Sequence, residues 1–523
     1  MDADIKALDF EGIRRLLERL TFSPYGADAA RNLEPAPSLA VAREMQAAVS
    51  AARLIVDAYE SPRISAVPDV RAALRQAGQS GAALSPMAFA NIRQVIRFSA
   101  ELAELVDRYP GLYRERERLL APPALVGLLD ASISPAGRLK DEATPELAAM
   151  TSQFQSLSKQ IETQVKARMA QPDVAALFGP DSRIHWQGAR IMLSVRAADA
   201  DRIKGVRRST LAGGRDCLIE PIEVVPHNNQ LEKLNGQVEA QHQIVLRGLT
   251  DGLRGHLDAL QGLVDALTWI DLALAGGQFS AALGAVAPRL VETPSVRLEA
   301  AYHPQLLMQF RDRQIREVKP LSLRLDAGQS MLVITGPNTG GKTVVLKTVG
   351  LLVVLAHCGL HIPAEGACEI GQFSRVIVDV GDKQSLHHHL STFAGHVEVL
   401  KRLLAEADEH TLVLMDELGT GTDPEEGASL AMAVLDELAT RGVRGIVTTH
   451  LSPLKGFADE HPYLTNASMR FDFASLSPTY ELECGRAGQS LGLIIAEKNG
   501  LPGSLVNRAR EYLLRMQVSE PVR

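Results

Sequence analysis

Eight residues, GPNTGGKT at positions 336–343, constrain the fold more than any other feature of this chain, because of what flanks them. Residues 331–335 form an apolar run of strand length, and residues 344–354 are apolar enough for a buried helix. A glycine-rich loop between a strand and a helix is the setting in which main-chain amides turn inward onto phosphate oxygens. Side chains at Gly336, Gly340 and Gly341 would obstruct that approach. Pro337, Asn338 and Thr339 complete the loop. Lys342 can set its ammonium against the terminal phosphates of a nucleotide, and the Thr343 hydroxyl can bind magnesium. A purely structural glycine turn is the competing reading, and the strand and helix on either side disfavour it.

A second element follows in the order such a site requires. Residues 411–415 are an apolar run ending in Asp416 and Glu417. At a strand end, Asp416 can hold magnesium, and Glu417 can orient or deprotonate an attacking water. A further strand runs into His450, which reads as a sensor of the terminal phosphate. Lys342, Glu417 and His450 are therefore the expected catalytic residues.

The 523 residues exceed what one core usually serves, so a multidomain chain is expected. Residues 1–125 read as a helical module, with an amphipathic start at 8–20 and further helices over 39–59 and 86–108. Apolar residues then recur at Leu147, Met150, Phe154, Leu157, Ile161, Val165 and Met169, and again from Leu231 to Leu267. Two long helices bracketing an insert would make an antiparallel, coiled-coil-like arm over 126–295, with a tip near 180–225. Two ordinary core helices are the other reading, favoured by five glycines in the second stretch. From 296 to 523 strands alternate with helices (322–325, 331–335, 374–380, 412–415 and 445–449), which predicts an α/β domain with a largely parallel sheet.

The insert is basic. Arg190, Arg196, Arg202, Lys204, Arg207 and Arg208 lie in it, opposed by Asp199 and Asp201. Residues 184–188 and 190–196 read as strands joined by a glycine turn. Such a tip can contact a phosphate backbone, or it can be a solvated surface; charge alone does not separate the two. The whole chain carries a net charge of -7, so nucleic-acid contact would have to be local. An aromatic content of 4% argues against a base-stacking single-strand binder. Cys217, Cys358, Cys368 and Cys484 show no CxxC spacing and read as ordinary thiols of a reducing compartment. No basic leader and no uninterrupted run of about 18 apolar residues are present, so a cytoplasmic protein with no membrane partner is expected. His387, His388 and His389 are adjacent and poorly placed to chelate one metal; they read as a polar linker.

GPNTGGKT, then LSTF at 390–393, LMDELGTGTD at 414–423 and TTH at 448–450, resemble in order and spacing the MutS family of ABC-type ATPases. His303 with Pro304, and Gly485, Gly488, Ser490 and Gly492, are similar to MutS segments too. The resemblance implies ATP with Mg2+ as cofactors, Thr343 and Asp416 as metal ligands, and a homodimer in which Ser391 completes the partner's site in trans. It implies an all-α N-terminal and lever region with a small β clamp tip, followed by an α/β P-loop ATPase domain.

Residues 7–13, 141–147 and 219–229 are similar to the second bacterial MutS paralogue, and residues 1–125 hold no counterpart of the Phe-x-Glu wedge of mismatch-reading members. That branch is linked to branched DNA, recombination suppression and collided ribosomes. Expected from it is an ATP-dependent clamp on double-stranded or branched DNA, acting in repair or recombination. The alternative is an ATPase that grips ribosomal RNA on stalled ribosomes. Members of the branch usually end in a small nuclease domain that the chain is expected to lack, so endonuclease activity is not expected. Residues 207–217 depart from the small-residue run of the family, which leaves the ligand of the tip open. A transporter energy subunit is disfavoured, since the comparable region reads LSTF and not LSGGQ.

Overall fold

The computed structural model describes residues 2–58, 67–178, 184–211, 215–336, 340–380, 392–472, 477–488, 492–498 and 500–518. The chain divides into two compact units, one of residues 1–65, 105–115 and 267–523, the other of residues 66–104 and 116–266. The fold is thus multidomain, with helices and several sheets, but its units are not consecutive stretches of sequence.

The first unit is built on a seven-stranded sheet. Its strands are Asp2–Ala3 (β1), Met331–Thr335 (β2), Arg375–Asp379 (β3), Thr411–Met415 (β4), Arg444–Thr449 (β5), Leu464–Asp472 (β6) and Ser477–Cys484 (β7), in the spatial order β1-β3-β4-β5-β2-β6-β7. Every neighbouring pair is parallel except β6 with β7. β2, β4 and β5 are buried along their whole length, and β2 and β4 accordingly read as nearly unbroken apolar runs. Thr335 stands beside Thr449, Met415 beside Val447 and Asp379 beside Met415. The loops after β2, β3, β4 and β5 therefore leave from one edge of the sheet, the carboxyl edge where open α/β folds bind ligands. Leu321–Leu325, expected in this sheet, lies in a separate four-stranded one with Arg289–Val291, Glu369–Gly371 and Val296–Ala301. Its alternation of buried leucines with exposed Ser322 and Arg324 fits a strand covered on one face.

Helix α1, Lys342–His357, follows the glycine loop and is buried all round from Val349 to His357. A helix apolar on every side needs cover on every side. Some of that cover is N-terminal: Leu8, Phe10, Ile13 and Leu17 share one core with Leu346, Val349 and Leu352. Gly350 permits the approach, since a Cβ there would lie 2.5 Å from Leu8 and 2.7 Å from Leu414. Lys347 pairs with Asp9 at 2.8 Å. Residues 2–58, expected to belong to a separate helical module, thus form a wall of the nucleotide-loop unit. Helices Thr392–Glu406 (α2) and Pro424–Thr440 (α3) belong to the same unit.

The second unit holds an antiparallel four-stranded sheet in the order Ile184–Gln187, Arg190–Arg196, Asp216–Pro221, Gly205–Thr210. Ile191 and Leu193 pack against Ile161 and Val165 of helix Pro145–Met169 and Leu231 of helix Val225–Arg254. The first helix opens with Pro145 after an N-capping Thr144, whose hydroxyl accepts from the Leu147 amide at 3.2 Å. The second expected long helix is two, Val225–Arg254 and Leu257–Leu283, separated at Gly255 and His256. Leu257–Leu283 is long and apolar enough to cross a membrane, yet 61% of its most apolar window is buried within the protein.

In the first unit Asp271 accepts from the amides of Phe22 (3.0 Å) and Ser23 (2.9 Å) and from the Ser23 hydroxyl (2.5 Å). Burial outweighs these bonds and raises its pKa from 3.8 to about 6. The folded chain therefore holds this proton more tightly than the unfolded one. The associated stabilisation is complete below pH 3.8 and is lost as pH rises through about 6. Asp271→Asn removes the titration. The stability difference between the variant and the unmodified chain, read from urea unfolding, should change by roughly 3 kcal/mol between pH 3.5 and 7.

Candidate functional site

The described residues of the glycine loop meet the requirements of a phosphate cradle. Gly336 (φ 137°) and Gly341 (φ 90°) adopt conformations that side chains disfavour. Lys342 is buried and donates from Nζ to the Gly336 carbonyl oxygen at 2.5 Å, which folds its ammonium back over the loop. Burial pushes its pKa below the ordinary lysine value, with Asp416 and Glu417 opposing the shift. Gly340, Gly341, Lys342 and Thr343 are described; Pro337, Asn338 and Thr339 lie outside the described residues.

β4 delivers Asp416 to the same place. One carboxylate oxygen accepts from the Thr343 hydroxyl at 2.6 Å, and the other accepts from the Thr448 hydroxyl of β5. Thr448 also accepts the Glu417 amide at 2.9 Å, and its carbonyl accepts the Leu418 amide. Glu417 itself sits at φ 54°, a left-handed conformation that a non-glycine residue keeps only when its surroundings hold it there. The structure thus brings Lys342, Thr343, Asp416 and Glu417 to one edge of the sheet. His450 follows β5 on that edge and is exposed. Ser391 and the histidines 387–389 lie outside the described residues.

The donor set suits a nucleotide with magnesium. Thr343 and Asp416 supply hard oxygen ligands already in contact, and Lys342 supplies a cation beside them. Among the described residues no cluster of three or more histidine, cysteine or carboxylate side chains could make an all-protein metal cage.

Two features of the site were given no role by the sequence. Thr448 stands there as part of the TTH motif that ends in His450, and its role depends on β4 and β5 lying side by side. The other is a cavity of about 490 Å³ beside Gly341, with Val318, Val344, Val345, Met469 and Tyr480 among its lining residues. The Tyr480 ring reaches Gly341, where an added Cβ would lie 3.2 Å from it. His303 also lines this cavity; burial lowers its pKa to about 4, so the imidazole is neutral at pH 7.

The basic insert separates into two groups. Arg190 bonds Glu220 (2.8 Å), Glu232 (2.5 Å) and Asn229 (2.7 Å), and Arg208 bonds the other oxygen of Glu220 at 2.7 Å. Glu220 is fully buried and also accepts from Asn228 at 2.9 Å. Arg190 is largely covered by these partners, whereas Arg208 is exposed and still engaged with Glu220. Arg196, Arg202, Lys204 and Arg207 are exposed, Arg202 facing Asp199 at 3.5 Å and Arg207 facing the Thr210 hydroxyl at 3.4 Å.

Residues 332–517 match the family described as MutS domain V. Among curated proteins, the chain is 36% identical over 528 residues to "Endonuclease MutS2" of Thermomicrobium roseum, covering 97% of this chain and 65% of that protein. It is 35% identical to "Endonuclease MutS2" of Thermus thermophilus (97% and 66%) and 30% identical to "Putative endonuclease MutS2" of Bacillus subtilis (97% and 65%). The chain therefore spans just under two thirds of the length of these relatives.

Glu220→Ala should leave Arg190 and Arg208 without their buried carboxylate and cost about 3 kcal/mol, read as a shift in the urea unfolding of the second unit. Arg196→Ala, which disturbs no such network, should leave that transition within about 0.5 kcal/mol.

Proposed function

We propose that this chain is a MutS-family ATPase that closes on DNA as a homodimer. The match over residues 332–517 and the relatives named MutS2 support the family. The observation that carries the ATPase reading is the Asp416 carboxylate held between Thr343 at the head of α1 and Thr448 of β5, with Lys342 and Glu417 beside it.

In this reading the main-chain N–H groups of the glycine loop, Pro337 excepted, and the Lys342 ammonium bind the phosphates of ATP, while Thr343 and Asp416 hold Mg2+. The ion would supply charge neutralisation on the phosphates. Glu417 orients the attacking water and takes up its proton, and His450 senses the terminal phosphate from the next strand. The cavity beside Gly341 accepts the base, with Tyr480 against its face. Ser391 acts on the site of a second copy of the chain. Arg196, Arg202, Lys204 and Arg207 at the tip contact DNA phosphates without reading sequence, which suits branched or recombination-intermediate DNA. Repair or recombination control in the bacterial cytoplasm is the setting this implies. The endonuclease in the relatives' names belongs to proteins of which this chain matches just under two thirds, and cleavage does not enter the proposal.

Lys342→Ala should abolish binding of a fluorescent ATP analogue. Glu417→Gln should keep that binding and lower turnover by about a hundredfold or more. Turnover by Glu417→Gln at the unmodified rate would remove Glu417 from its role. Tyr480→Ala should weaken nucleotide affinity about tenfold with little change in turnover at saturation. For the nucleic acid, gel shifts on four-way junction and linear duplex are compared with co-sedimentation with ribosomes at matched salt. Junction binding that weakens in an Arg196→Ala, Arg207→Ala double variant supports the DNA reading. Ribosome association with no measurable DNA affinity would overturn it.

A further inference from the structure

Asp379 and His396 form a pair outside the set of residues assigned so far, and it touches the catalytic turn from below. Asp379 ends β3, beside Met415 at the end of β4. Its carbonyl oxygen accepts the Asp416 amide at 2.9 Å, so its main chain already helps fix the carboxylate that meets Thr343. Its side chain points elsewhere: Oδ2 lies 2.9 Å from Nδ1 of His396 on α2, and both side chains are about four-fifths buried, with 20% and 23% exposed. An ionised carboxylate can only accept, so Nδ1 carries the hydrogen.

The His396 ring lines a narrow crevice with Met415, Leu418, Gly419 and Thr420, the residues on either side of Asp416 and Glu417. Three observations say that this turn needs holding. Glu417 has a positive φ without being glycine. Gly419 has φ 83° and packs so closely on α3 that a Cβ would lie 2.6 Å from the Gly427 carbonyl oxygen. The Thr420 hydroxyl is buried without a hydrogen-bond partner among the described residues. A turn in a strained conformation keeps it only if its neighbours over-determine it.

We propose that His396, fixed by Asp379, is a positioning residue for the turn that carries Glu417, and that it makes the position of α2 felt at the catalytic carboxylate. The pair binds no nucleotide and takes no proton in the reaction. It sets where Glu417 stands. α2 begins at Thr392, next to the Ser391 assigned to the partner's site, so a shift of this helix on dimer closure would reach Glu417 through two side chains. The inference rests on the ATPase reading given above.

The test uses the full chain and two readouts, steady-state ATP turnover and equilibrium affinity for a fluorescent ATP analogue. His396→Ala should lower kcat about tenfold and leave KM and analogue affinity within about twofold. His396→Asn can place its amide donor near the position of Nδ1 and should recover most of kcat. Asp379→Ala keeps the carbonyl that holds Asp416 and should match His396→Ala, and the double variant should fall no further. Unchanged kcat in His396→Ala would overturn the inference, and so would an equal loss of kcat and affinity, or no recovery in His396→Asn. Failure of the unmodified chain to bind or turn over ATP would instead overturn the ATPase reading, and the inference with it.

Discussion

The Asp416 carboxylate is held by two hydroxyls, one from the helix after the glycine loop and one from the neighbouring strand, and much of the first unit can be read as the means of keeping it there. Thr343 fixes the head of α1 to the end of β4. Thr448 fixes the end of β4 to β5 and holds the Glu417 amide as well. One carboxylate thus ties three neighbouring elements, and a partly buried network of this sort stiffens its members together. The apolar α1 behind it is closely packed, with Leu8 and Leu414 against Gly350 and with Leu8, Phe10, Ile13 and Leu17 in the same core. That packing joins residues more than three hundred positions apart in sequence.

What could be read from the sequence, and what could not, follows from the range of each interaction. β2 and β4 were legible because strands buried on both faces are largely apolar, and the glycine loop because its chemistry is local. The helix at Pro145–Met169 was legible in its period and in its capping threonine. The dependence of α1 on residues 8–17 was not, since an amphipathic pattern announces a buried face without naming what buries it. Leu321–Leu325 showed its strand character and concealed its sheet. Gly255 was one glycine among several, and nothing in the sequence singled it out as the place where the long helix ends. At the site, Lys342, Thr343, Asp416 and Glu417 were marked by their motifs, whereas Thr448 and Tyr480 act through contacts set by strand order and by the antiparallel return of β7.

Charge was the least legible quantity. Arg190 and Arg208 looked like the other cations of the insert, and only the fold shows that both close on buried Glu220. Counting them toward a phosphate-binding surface would overstate it. Arg196, Arg202, Lys204 and Arg207 are exposed and free of that network, while Arg208 is exposed but engaged by Glu220.

The proposed function couples nucleotide chemistry at Lys342, Asp416 and Glu417 to nucleic acid held by the same chain. ATP turnover by the purified chain, measured alone and with saturating four-way junction, mismatched duplex, homoduplex and ribosomes, tests that coupling most directly. Turnover that changes several-fold with junction DNA and not with ribosomes is the predicted result. A chain that hydrolyses ATP at one rate with every DNA, or that responds only to ribosomes, would contradict it.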